Sequence, residues 1–305
     1  MPADAERSAL VRPGPQHQWV HSACKKAKLE HALSSPHVTA IEADIMMGER
    51  DGLAVPVMAH PVRCGQLPVD WDTTFEDFIE RCVGDGRRHL KLDFKQIEAV
   101  APVLKLVAER LPQLRANGQG VWLNADVLPG PNKRGAACKV PAHRFLPLWR
   151  THLPQATLSL GWNCHTFGME TGFTHEDVRQ MLHLCREYGV PGHKVVFCPS
   201  VRLAASSVLQ LAGLLDGLDE SQLLLWTGTG EVPVLQRARE SLDAQFTQVG
   251  MQDRIGYDIF VAQHTTEVVA ALVAEWLALV AECMAECGCA RRHGGVTREV
   301  VQSEH

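Results

Sequence analysis

Residues 38–47 read VTAIEADIMM, an apolar and β-branched run interrupted by two acids, Glu42 and Asp44. In an extended strand, positions i and i+2 point to the same side, so the two carboxylates share a face and lie toward the strand's C-terminal end. Burying two like charges side by side is costly unless something neutralises them. The run therefore reads as a strand that carries chemistry at its end as well as filling a core.

Runs of the same kind recur along the chain: HQWVH (17–21), HLKLDF (89–94), GVWLNADV (120–127), ATLSLGW (156–162), KVVFCPS (194–200), LLLWTG (223–228) and RIGYDIF (254–260), which with 38–47 make eight. Between them, FEDFIERCV (75–83), IEAVAPVLKLVAERL (97–111), THEDVRQMLHLCREYG (174–189) and VPVLQRARESLDAQF (232–246) carry the apolar spacing of amphipathic helices. Eightfold strand-helix alternation predicts an α/β chain folded as a (β/α)8 TIM-type barrel, with an open doubly wound sheet as the main rival. The 305 residues are enough for either.

No Gly, Ser or Pro-rich linker cuts the chain, and LPGPNKRGAACKVP (128–141) reads as a strand-to-helix loop. The expectation is one barrel domain over 17–290 that includes a C-terminal helix, with flexible segments at 1–16 and 291–305. Residues 47–61 read as irregular, which places His60 on an excursion after the second strand.

With 46% hydrophobic and 21% charged residues the composition is that of a soluble globular protein, and a net charge of −5 with scattered Lys and Arg argues against a nucleic-acid binder. The start, MPADAERSALVRPGPQHQW, lacks the basic opening and apolar core of a secretory signal. The apolar segment 268–290 is broken by Glu275, Glu282 and Glu286, so it reads as a docked helix and not a membrane span. Ten cysteines without paired spacing suit a reducing compartment, and the cytoplasm is the favoured location. Cys283, Cys287, Cys289 and His293 can be drawn as a zinc site but lack the usual paired spacing.

Strand parity extends from Glu42 and Asp44 to Lys91, Asp93 and Lys95 in KLDFK and to Asn124 and Asp126 in LNAD. Barrel active sites are built at the C-terminal rim, where these groups would converge with His21 and His60. Clustered carboxylates suit a hard divalent cation, Mg²⁺ ahead of Ca²⁺, and Glu42, Asp44 and Asp93 are the candidate ligands. Each group also has a plainer reading: a strand-end acid as a cap or ion-pair partner, a histidine as a satisfied structural residue. Asn124 and Asp126 are candidate substrate contacts or mutually satisfied core polar residues. Trp162 and Trp226 are candidates for an apolar wall against a lipid or sugar, or simply packing residues. TGTGE (227–231) lacks both the Walker and the G-x-G-x-x-G spacing of a nucleotide loop.

WVHSACKKAKLEHAL, IEADIMM, VPVMAHP, HLKLDFK, VWLNADVLPGPN, ATLSLGW and GYDIF, in that order, resemble the menorin family over residues 17–262. That family is similar to the glycerophosphodiester phosphodiesterases and sphingomyelinase D-like enzymes. The resemblance implies a TIM barrel in which Glu42, Asp44 and Asp93 bind the metal, His21 and His60 form an acid/base pair, and Lys95 meets a substrate phosphate. Departures are visible too: His21-Ser22-Ala23 stands where the phosphodiesterases have His-Arg-Gly, His60-Pro61 where they have His-Asp, and Cys24 where menorin relatives have Asn.

The implied function is metal-dependent phosphodiester cleavage or transfer, that of a phosphoric diester hydrolase or lyase, on a phosphodiester or lysophospholipid-like small molecule. The alternative is a non-catalytic family member acting through protein partners in neuronal or sensory-tissue development and maintenance. Some relatives are secreted.

Overall fold

The computed structural model describes residues 17–62, 66–131, 133, 135–164, 172–228 and 231–270. Strand β1 (Trp19–Val20) precedes helix α1 (Lys26–Ser34), and β2 (Ala40–Arg50) and β3 (Leu53–Met58) follow. The chain then alternates: α2 (Phe75–Asp85), β4 (His89–Phe94), α3 (Val100–Ala116), β5 (Val121–Pro129), α4 (Ala142–His152), β6 (Thr157–Asn163), α5 (His175–Glu187) and β7 (Val195–Cys198). Short α6 (Val201–Ala204) and α7 (Val208–Asp216) lead to β8 (Gln222–Trp226), β9 (Val234–Leu235), α8 (Gln236–Gln248), β10 (Ile255–Asp258) and β11 (Val261–Ala262).

The main sheet runs β1-β2-β4-β5-β6-β7-β8-β10. Every neighbouring pair in that order is parallel. The result is a nearly closed eight-stranded parallel barrel with alternating helices, as the strand-helix alternation predicts. Between β10 and β1 no backbone ladder is formed among the described residues.

Local sequence explains where elements start and stop. Helix α2 begins at Thr74, whose hydroxyl accepts from the Asp77 amide, and Thr174 with Asp177 forms a reciprocal capping box on α5. Period-two alternation sorts each strand into two faces. Leu158, Leu160, Leu92 and Phe197 face the helices and are fully buried. Trp122, Val196, Cys198 and Leu224 form an interior cluster with Trp19 and Trp226 packed against it, and the Trp19 and Trp122 rings are 5.4 Å apart. In register Trp122 lies opposite Lys91, so this apolar cluster packs beside the charged positions of β4.

One expectation is corrected. Residues 47–61 are not irregular: β2 continues to Arg50, turns, and returns as antiparallel β3, with Arg50 opposite Leu53. Asp51 and Gly52, at φ 53° and 77°, make the two-residue turn that an Asp-Gly pair between apolar runs favours. Met46, Val57 and Ala59 bury the hairpin against Val55, Leu67 and Trp71.

Contacts divide the chain into two compact units, where the sequence reading has one domain. Of the described residues, those from 17 to 228 and from 240 to 259 make up the first unit, which holds the barrel. In the second unit, Gly230–Arg239 and Phe260 onward, β9 pairs in parallel with β11, so the stretch read as one helix from residue 232 opens with a short strand. The terminal segments, the C-terminal helix beyond residue 270 and the Cys283–His293 cluster lie outside the described residues. Among the described residues no helix is long and apolar enough to cross a membrane.

Candidate active site

The carboxylates of Glu42, Asp44 and Asp93 come together, each offering an oxygen within 4.8 Å of the others. Register explains the meeting: Asp44 lies opposite Asp93, and Glu42 opposite Lys91, on adjacent parallel strands. Glu42 and Asp44 are buried, so two acids leave water in the same place.

Their partners are unequal. Glu42 Oε2 accepts from the Ser22 amide at 2.5 Å and lies 3.3 Å from His21 Nδ1. Glu42 Oε1 is buried without any hydrogen bond. A buried carboxylate oxygen with no donor is an unfavourable arrangement that a cation would relieve. Asp44 accepts from the Ser22 hydroxyl at 3.2 Å and the Cys24 thiol at 3.4 Å, and pairs with Lys95 Nζ at 3.0 Å. Lys95 also donates to Asp93 at 2.8 Å. Ser22 reaches both acids from a left-handed backbone, φ 52°, a conformation that costs a non-glycine residue on the order of 1–3 kcal/mol and concentrates at functional sites.

Electrostatics follow from this packing. Burial pushes Glu42 up to about 7 despite the opposing charge of His21. Burial also acts to raise Asp44, but Lys95 and then His60 outweigh it and hold its carboxyl below the usual range. Both His60 and His21 thus act on the same carboxylate. Burial would pull His21 down, yet the Glu42 charge and the hydrogen bond to Asp258 lift it to about 9. Lys95 stays protonated because Asp44, Asp93 and Asp126 overcome its burial.

All-oxygen, carboxylate-rich donors fit a hard divalent cation such as Mg²⁺ or Ca²⁺. Glu42, Asp44 and Asp93 are the residues that would hold it, and the unbonded Glu42 Oε1 is the atom most in need of it.

The remaining candidates separate. His60 is exposed, two residues beyond β3, and the adjoining Ala59 amide donates to the Asp44 carbonyl at 2.9 Å. Asn124 is buried, and its side-chain oxygen accepts from Ser159 Oγ on the adjacent strand at 2.5 Å. Asp126 sits one step nearer the rim, pushed up to about 6 by burial against the pull of Lys95. A Cβ on Gly161 would collide with its carboxylate, so the glycine makes room for that group. Trp226 faces the interior, and its indole donates to the Cys198 carbonyl at 2.9 Å. Trp162 does not join them: it is 1% exposed and packed on Phe173 and Phe197 at ring distances of 4.8 and 6.4 Å. It follows Gly161, so strand parity turns it toward the helices and away from the barrel interior.

Two charged groups carry no role in the sequence reading. Asp258 ends β10, 3.1 Å from His21 Nδ1, and Lys91 Nζ lies 3.7 Å from the same carboxylate. The parity rule that selects Asp93 also selects both.

A model of the menorin N-terminal domain matches residues 14–264. Human protein FAM151B is 32% identical over 223 residues, 72% of this chain and 75% of the relative. Among solved structures, a putative glycerophosphoryl diester phosphodiesterase from Silicibacter pomeroyi superposes with a TM-score of 0.46 at 13% identity, covering 88% of this chain and 96% of that one. A glycerophosphodiester phosphodiesterase from Parabacteroides distasonis superposes with a TM-score of 0.42 at 10% identity, covering 80% and 94%. The extent of the domain match, together with that relative, establishes that the chain belongs to the menorin family.

Proposed function

We propose that this chain cleaves or transfers phosphodiesters at the C-terminal rim of the barrel. The observation that carries the reading is the carboxylate cluster of Glu42, Asp44 and Asp93 with its unbonded buried oxygen, set beside Lys95 and His21. A divalent cation there, Mg²⁺ before Ca²⁺, supplies charge stabilisation for non-bridging phosphate oxygens. Lys95 adds a second positive charge beside it for the same phosphate oxygens.

His21 and His60 divide the proton traffic. One imidazole takes the proton of the attacking hydroxyl, from water or from a neighbouring substrate group, and the other protonates the leaving oxygen. Substrates are phosphodiesters of small-molecule or lysophospholipid size.

One observation favours a second reading: Lys95 already pairs with both Asp44 and Asp93, so one of the charges of the carboxylate cluster is offset without a metal. On that reading the barrel is a non-catalytic scaffold that meets protein partners, in keeping with a role in neuronal or sensory tissue.

The two are separated by titrating Mg²⁺ and Ca²⁺ into metal-stripped protein by calorimetry, then screening glycerophosphodiesters and lysophospholipids with His21→Ala and His60→Ala as controls. Binding near one equivalent, with turnover lost in both variants, supports the enzyme. A wild type that binds neither ion and turns over no phosphodiester overturns it.

A further inference from the structure

Strands β10 and β1 flank the gap in the sheet order, β10 pairing with β8 and β1 with β2. Across that gap His21 Nδ1 meets Asp258 Oδ2 at 3.1 Å, between residues 237 positions apart. The same nitrogen lies 3.3 Å from Glu42 Oε2, but that oxygen already accepts from the Ser22 amide at 2.5 Å. Asp258 is therefore the better placed acceptor for an Nδ1 proton.

Asp258 is itself held. It is 7% exposed, lies opposite Trp226 in register, and has the buried Lys91 ammonium at 3.7 Å. An imidazole uses its two nitrogens for different tasks: a carboxylate on Nδ1 fixes the tautomer and ring plane, and the other nitrogen then handles the transferred proton.

The geometry points to Asp258 as the positioning residue for His21: its carboxylate reaches across the β10–β1 gap, holds the Nδ1 proton, and presents Nε2 for proton transfer, with Lys91 fixing the carboxylate in turn. As a statement about catalysis the inference rests on the phosphodiester reading; as a statement about the His21 tautomer it stands by itself. Division of labour follows as well. With Asp258 accepting the Nδ1–H hydrogen bond, Glu42 is left to the carboxylate cluster.

The test uses the full chain with Mg²⁺ and bis(4-nitrophenyl) phosphate as the probe, alongside ¹⁵N spectra of the histidine side chains taken above the pH at which His21 loses its charge. Asp258→Ala is expected to lower kcat about 100-fold, the lower end of what a positioned acid or base contributes, with KM changed less than about threefold. Its His21 ring should shift from one Nδ1–H tautomer to a mixture. Asp258→Asn, whose side-chain oxygen still accepts a hydrogen bond, should recover most of the tautomer preference. Asp258→Leu, of similar volume but without an acceptor, should give the same mixture as Asp258→Ala and is the readable variant if that one does not fold.

An unchanged tautomer in Asp258→Ala or Asp258→Leu overturns the inference, as does a fall in thermal stability with kcat and tautomer intact. If wild type turns over no phosphodiester at all, the functional reading fails. The tautomer spectra then still decide the placement of His21.

Discussion

The Lys95 ammonium stands 2.8 Å from the carboxylate of Asp93, two residues earlier on its own strand exit, and reaches Asp44 on the neighbouring strand at 3.0 Å. A lysine clamped between two acids is an internal rival to any metal ion that would use them. At about 4 Å, two unit charges interact by on the order of 4 kcal/mol at the effective dielectric of partly exposed sites. Lys95→Met is therefore expected to tighten Mg²⁺ binding at least about tenfold, equivalent to about 1.4 kcal/mol, while lowering the melting temperature of the metal-free protein. Calorimetric titration of both proteins checks this, and equal or weaker binding in the variant contradicts it.

Removing ligand charge should act in the opposite direction. Asp44→Asn and Asp93→Asn keep the side-chain shape but lose the anion that a hard cation needs, so both should abolish one-equivalent Mg²⁺ binding. A ligand that binds only the folded state stabilises it by about 2.7 kcal/mol at 100 times its Kd. Wild type should accordingly melt higher with saturating Mg²⁺ than with chelator, and neither variant should show that difference. A variant that retains the full shift would remove its residue from the ligand set.

Gly161 and Asp126 form a lock of another kind. The missing side chain at 161 leaves the space the Asp126 carboxylate occupies, so Gly161→Ala should cost about 1–3 kcal/mol by overpacking. Asp126→Ala removes the obstructing group, and the double variant should be more stable than the sum of the two single changes predicts. Urea denaturation of the four proteins measures that coupling. Strict additivity would show that the two residues do not press on each other.

At the opposite end of the barrel, burial and then the charge of His17 push His89 down to about 4, and its Nδ1 accepts from the Gly120 amide at 2.9 Å. The folded value lies below the ordinary 6.5 for histidine, so the unfolded chain binds the proton more tightly. This contribution to stability is present above about pH 6.5 and is lost as pH falls toward about 4. His89→Asn, which keeps a hydrogen-bond acceptor without a titratable ring, should flatten the stability slope across that window. An unaltered slope in denaturation at pH 7, 5.5 and 4.5 would assign it to other groups.

Much of this molecule is legible along the chain because strand parity is a local rule. VTAIEADIMM, HLKLDF and LNAD state which side chains share a face, and Glu42, Asp44, Asp93, Lys95 and Asp126 follow from it. Parity applied to ATLSLGW would also have turned Trp162 outward once Ser159 and Gly161 were placed inside. Arg50-Asp51-Gly52-Leu53 carried a hairpin turn in plain view, and reading 47–61 as irregular passed over it.

What a local rule cannot supply is the distance between strands. Asp258 has the right residue type and parity, yet its partner His21 is 237 positions away, and only the near-closure of the sheet brings them together. The same applies to Lys95, whose neighbour in sequence is Asp93 but whose second partner, Asp44, is set by the β2–β4 register. The sequence by itself determined the barrel and the faces of its strands, because alternation and helical spacing are periodic and short in range. Which carboxylate stays without a hydrogen bond, which imidazole nitrogen is held and which lysine sits among the acids were decided by tertiary structure, because desolvation and ion pairing depend on what packing brings within about 4 Å.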